Sequence, residues 1–148
     1  MAGLVFALCV GLAGAQGPGD GSSAASAKQA WTRAATSGGL HNAGQTRTVT
    51  YAPTLQWVPD GSRITRVYAN RHYAGNASVQ TSLCWDASTR CVDIVGGHLN
   101  TDAFNGLDAS RPMTLVHRMI APHGGPIPLY IKGNVTVWFT PPEARSEP

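Results

Sequence analysis

Two cysteines seven positions apart constrain this chain more than any other feature. Cys84 and Cys91 lie in the segment Val79–Val95, which alternates and then reverses at Ala87-Ser88. Read as a β-hairpin with those two residues as its turn, the segment places Cys84 directly opposite Cys91 on one face. Directly opposed strand residues hold their Cβ atoms about 4.5–5.5 Å apart, and closer at a non-hydrogen-bonded pair. A disulfide wants about 3.5–4.5 Å, so the closer kind of pair fits. Free thiols and a metal site are the alternatives. A zinc site needs further ligands at short spacing, and His98, the nearest candidate, has no partner. A disulfide between Cys84 and Cys91 is therefore expected. Its loop is short, so its entropic contribution sits near the low end, roughly 2 kcal/mol.

The third cysteine, Cys9, falls in the apolar run Leu4–Leu12, which is followed by Ala13-Gly14-Ala15 and then by polar residues. This is the order of a signal-peptide core and an A-x-A cleavage site, with the cut after Ala15. No Lys or Arg precedes the run, and a buried amino-terminal strand or helix is the competing interpretation. A spanning helix would need about 20 apolar residues. Removing residues 1–15 removes Cys9 and leaves one pair of cysteines, as an oxidising compartment would use them. No second stretch is long enough to span a bilayer, so no membrane span is expected after cleavage. The expected organisation is a signal peptide over 1–15, a flexible Gly/Ser/Ala leader over 16–29, a β domain over 30–140 and a disordered tail over 141–148.

Along the mature chain, Ala30-Trp31-Thr32 begins the first strand, and Gly38-Gly39 interrupts it. Gln45–Tyr51 alternates. Ser62–Tyr73 alternates too, although its apolar signal is imperfect: Ile64 falls on the opposite parity to Val67 and Ala69. Thr101–Leu107, with Phe104 in a polar context, reads equally as a helical turn or a strand. In Met113–Ile120, Met113, Leu115, His117 and Met119 share one face. Ile127–Ile131 and Val135–Phe139 are read as the last two strands, joined by a turn at Lys132-Gly133-Asn134. Trp31, Leu83, Leu115, Ile131, Val137 and Phe139 are expected in the core. Seven or eight short strands without intervening helices predict an all-β, antiparallel β-sandwich or barrel-like domain, with one disulfide inside a single sheet. The 148 residues suffice for one such domain, and 17 Gly and 10 Pro suit its many turns.

Little points to chemistry. The formal charge is +3, from nine Arg and two Lys against eight acids, and the bases are scattered, so nucleic-acid binding is not expected. Asp102 and Asp108 are the one conceivable carboxylate pair for glycoside hydrolysis, in an unreadable loop. His41, His72, His98, His117 and His123 form no metal-ligand spacing. No G-x-S-x-G, P-loop or dinucleotide fingerprint is present. No catalytic residue, metal or cofactor is expected. Trp57, Trp85, Tyr68, Tyr73 and Tyr130 offer a platform for sugar or peptide if exposed together; the plainer alternative packs Trp31 and Trp138 in the core and lets the rest cap its edges.

Several motifs in order resemble the FlhE family of flagellar proteins. They are the early Trp31, the clip from Leu83-Cys84 to Cys91-Val92, Gly96-Gly97 followed by Phe104, and Arg111-Pro112-Met113 opening a strand. Pro122-His123-Gly124-Gly125 leading to Ile127-Pro128 continues the series, and Asn134–Phe139 ends it. The resemblance runs from about Trp31 to Phe139 and is clearest beyond Leu83; residues 36–60 align poorly, and the tail is longer than expected.

What the resemblance implies is a periplasmic, non-enzymatic accessory protein of flagellar assembly. Its expected partner is a flagellar export, rod or filament protein in the periplasm. Its expected role is chaperone-like binding or control of proton leak at the type III export gate, preventing filament growth in the periplasm. The family supplies no catalytic residues to carry over. Candidate partner-binding residues are Arg118, Pro122, His123 and Tyr130, for which ordinary strand and loop packing is the plainer account. An envelope carbohydrate- or peptide-binding module is the alternative function, and a small cell-wall hydrolase a third. The first predicts exposed aromatics in a row, the second convergent titratable groups in a cleft.

Overall fold

The computed structural model describes residues 29–54 and 57–143; the expected signal peptide, most of the leader and the end of the tail lie outside them. Eight strands follow one another: β1 (Gln29–Thr36), β2 (Thr46–Tyr51), β3 (Arg63–His72), β4 (Ser78–Trp85), β5 (Arg90–Ile94), β6 (His98–Thr101), β7 (Met113–Ala121) and β8 (Lys132–Thr140). They form two four-stranded sheets, in the orders β1-β8-β3-β6 and β2-β7-β4-β5, and every pairing is antiparallel. The β-sandwich expected from the sequence is thus the fold. Of the seven connections, only β4–β5 stays within one sheet; the other six pass from one sheet to the other.

That one hairpin holds the disulfide. Cys84 pairs with Cys91 in the ladder and is bonded to it, with the Cα atoms 4.0 Å apart. The reversal is wider than the two-residue turn expected at Ala87-Ser88. Trp85 and Arg90 are the last pair, four residues connect them, and Asp86 and Ala87 take positive φ. The Asp86 N–H donates to Pro112 O and the Thr89 hydroxyl to Asp86 O, which holds the loop in that form.

Strand alternation builds the core. Leu115 and Leu83 face inward from one sheet, Trp31, Val137 and Phe139 from the other, and all are buried. Ile131 is buried in a second cluster with Leu40, Val79, Met119 and Leu129, at the end of the sandwich that carries the β7–β8 connection. In β3 the register shifts between Ile64 and Arg66. The extra residue flips the parity, so Ile64, Val67 and Ala69 all face the core. This accounts for the imperfect alternation of that segment.

Three other readings need correction. Trp138 is not in the core: it alternates with buried Val137 and Phe139 and so lies half-buried on the outer face of β8. Ile127–Ile131 is not a strand but a strap that makes a single bridge, Leu129 to Leu40. Pro126 and Pro128 have no N–H to give a ladder. Lys132-Gly133-Asn134 is not a turn but the start of β8, paired on both sides with β1 and β3. β1 begins one residue earlier than expected, at Gln29. The unreadable segment after Thr101 is a series of turns that buries Phe104. It is held by hydrogen bonds from Ile64 N–H to Leu107 O, Gly106 N–H to Ile64 O, and Trp31 Nε1–H to Ala109 O.

Candidate functional site

At one corner the two sheets are incompletely zipped. β5 covers β4 only from Thr81 to Trp85, and β6 covers β3 only from Val67 to Asn70. Where the chain crosses from β5 to β6, an open cleft of about 440 Å³ is left, lined by Arg71, His72, Tyr73, Asn76, Gly96 and Gly97 among others. Arg71 continues the inward parity of Val67 and Ala69. Its N–H donates to Gly97 O at 2.9 Å, and its Nε–H to Gly96 O at 3.1 Å. Its guanidinium carbon lies 5.4 Å from the centroid of the Tyr73 ring. The Tyr73 hydroxyl donates to Ala77 O, which fixes that ring. Arg71 Nη1 is buried without a hydrogen-bond partner. The one ion pair among the described residues is Arg111–Asp108, so no carboxylate answers Arg71 there.

Behind this corner, in the interior, stands His117. It is wholly buried, with Nδ1 3.0 Å from Thr81 Oγ1 and Nε2 unpartnered. Burial, seconded by the positive charge of Arg71, lowers its pKa to about 4, so the ring is neutral at ordinary pH. Tyr51 Oη is likewise buried and unpartnered, and burial pushes the phenol up to about 12. The sequence placed His117 on an apolar face; it gave no sign that Arg71 would stand near it.

The four residues singled out from the sequence lie on β7 and the strap that follows. Arg118 is exposed on the outer face of β7, between Thr46 and Gln80 in register. Pro122 O accepts the Gly125 N–H, and His123, at positive φ, has Nε2 3.0 Å from Ser78 Oγ. Tyr130 is 55% exposed between buried Leu129 and Ile131. His123 is thereby tied to β4, while Arg118 and Tyr130 present their side chains to solvent. The aromatic candidates do not form a row. Trp57, 73% exposed, belongs to the β2–β3 connection at the end opposite Tyr130. Trp85 and Tyr73 are half-buried and donate to backbone oxygens of Asp108 and Ala77.

Asp108, one of the two candidate aspartates, serves its own loop. It accepts from the Ser110 hydroxyl and N–H, and the hydroxyl bond chiefly holds its pKa below the usual carboxylate value. Among the described residues no three His, Cys, Asp or Glu side chains converge as metal ligands would.

No protein-family model matches the chain, and no curated protein matches it in sequence. Among solved structures, the chain is similar to one described as the crystal structure of FLHE. The TM-score is 0.61 at 20% identity, over 78% of this chain and 98% of that one. This chain has an FlhE-like fold.

Proposed function

We propose that the protein is a non-catalytic accessory factor of flagellar assembly that acts in the periplasm by binding a flagellar export, rod or filament component. The observation that carries this reading is the similarity of fold to FLHE across nearly the whole of that chain. The Cys84–Cys91 disulfide supports an oxidising compartment. The role within assembly is chaperone-like binding, control of proton leak at the export gate, or both. The partner surface is proposed to include Arg118, Pro122, His123 and Tyr130. Arg118 offers a planar fork of donors and Tyr130 a large half-apolar side chain, the residue types on which binding energy most often concentrates.

Gene deletion in the native bacterium tests the reading. It should disturb flagellar assembly or raise proton leak while the export gate is present, and do little once the gate is removed. Complementation should require the exported form. Rescue by protein held in the cytoplasm would overturn the localisation, and a deletion without flagellar effect would overturn the function. A single His or Asp substitution that abolishes function while folding and partner binding persist would point to catalysis instead.

A further inference from the structure

We propose that the Arg71 cleft is a binding site for a carboxylate, of the kind carried by an acidic side chain or a chain terminus of a peptide. The inference rests on the cleft alone and not on the flagellar reading.

Three observations lead to it. The guanidinium is uncompensated: Nε–H is used on Gly96 O, Nη1 is buried with no partner, and no acid among the described residues pairs with it. With Nε–H spent on Gly96 O and Nη1 closed off from the cleft, Nη2 is the guanidinium nitrogen left to donate a charge-assisted bond to an incoming oxygen. The lining also offers no competing acid: His72 and Asn76 accompany Arg71, and no Asp or Glu is among the described lining residues. Finally, the group is held in place before any ligand arrives. Tyr73 packs against the guanidinium and is itself tied to Ala77 O. The backbone of Arg71 is tied to Gly97. Gly75, at positive φ, sits so close to Pro126 that a Cβ there would come within 2.9 Å of its ring, so the wall of the cleft is braced by the β7–β8 strap. The guanidinium nitrogen left free can donate one charge-assisted bond to an oxygen of a carboxylate. A single Arg suits one negative charge better than the two of a phosphate.

The test is NMR on the isotope-labelled full chain, following the Arg71 Nε–H and the Gly97 amide. The probes are acetylglycine, which has a terminal carboxylate, acetyl-glutamate α-amide, which has a side-chain carboxylate, and inorganic phosphate. At least one carboxylate probe should give saturable shifts at both signals in the millimolar range, and the stronger of the two identifies a terminus or an acidic side chain. Arg71→Lys, which keeps the charge but loses the guanidinium held between Gly96 O and the Tyr73 ring, should bind roughly tenfold more weakly. Asn76→Asp, an exposed lining residue that leaves Arg71 untouched, should weaken binding by at least about threefold; this variant carries the test if Arg71→Lys fails to fold. No saturable shift, tighter binding of phosphate than of either carboxylate, or unchanged binding by Asn76→Asp would overturn the assignment.

Discussion

The phenol oxygen of Tyr51, on β2, stands so close over Gly133, on β8 of the facing sheet, that a Cβ on the glycine would come within 2.2 Å of it. Leu115 Cδ1 would be met at 2.8 Å. Gly133→Ala should therefore cost about 1–3 kcal/mol through overpacking. Made in a Tyr51→Phe background, which lacks the nearest atom, the same change should cost less, with a coupling of about 1 kcal/mol in a denaturant double-mutant cycle. Equal costs in both backgrounds would mean that the ring does not oppose the new methyl group.

Tyr51→Phe by itself should be neutral or stabilising. The hydroxyl is buried without a partner, and an unsatisfied buried polar group costs about 1–3 kcal/mol. A thermal melt decides this: a lower Tm in the variant would show that the oxygen is hydrogen-bonded in solution.

His117 should make the fold acid-sensitive. Its pKa is about 4 in the fold, below the ordinary value of 6.5, so as pH falls from 6.5 towards 4 the unfolded chain takes up a proton that the folded one refuses. The stability due to neutral His117 is fully present above pH 6.5 and is lost through that window, at no more than about 1.4 kcal/mol per pH unit. Urea titrations at several pH values should show this slope, and His117→Gln should flatten it.

The clip should be closed and modestly stabilising. Denatured protein without reductant should expose neither Cys84 nor Cys91 to a thiol label. Replacing both by Ala should cost roughly 2 kcal/mol.

Phe139→Ala and Phe104→Ala should each cost about 3–5 kcal/mol, since both rings are essentially fully buried. For Phe104 this checks the turn-rich segment as much as the ring. A loss below about 1 kcal/mol would mean that the segment does not seat its phenylalanine in the core.

The parts of the fold that local pattern revealed are those in which each strand's burial is decided by its own alternation. β7 shows this best: Met113, Leu115, His117 and Met119 share a face in the sequence and all are buried in the structure. The Cys hairpin was legible because its two strands are neighbours in the chain. What stayed hidden depends on residues far away. Gly133-Asn134 has turn chemistry, yet Gly133 is small because Tyr51, from the other sheet, lies over it. Trp138 looks like core by type, but parity turns it outward beside Phe139. Phe104 has no apolar neighbours in sequence and finds them only because its turns pair with Ile64. Arg71 was unremarkable in the sequence because its character comes from a missing counter-charge and from the crossing at Gly96-Gly97.

The position of β8 has a consequence for how the chain can come together. β1 and β3 are not paired with each other; each forms its ladder with β8, the last of the described strands, which pairs with all of β1 and nearly all of β3. A chain that emerges amino terminus first, from a ribosome or through a membrane pore, therefore holds most of its first sheet as unmatched strands until β8 arrives. Domains generally fold as whole units during synthesis, and here the closing piece is delivered last. Long-range pairings of this kind make folding slow. Among the described strands, the short Cys84–Cys91 hairpin is the one pairing of sequence neighbours and can form ahead of the rest. The order of the strands thus keeps the nascent polypeptide pliable until β8 has emerged, a property that suits any protein obliged to thread a narrow channel before it folds.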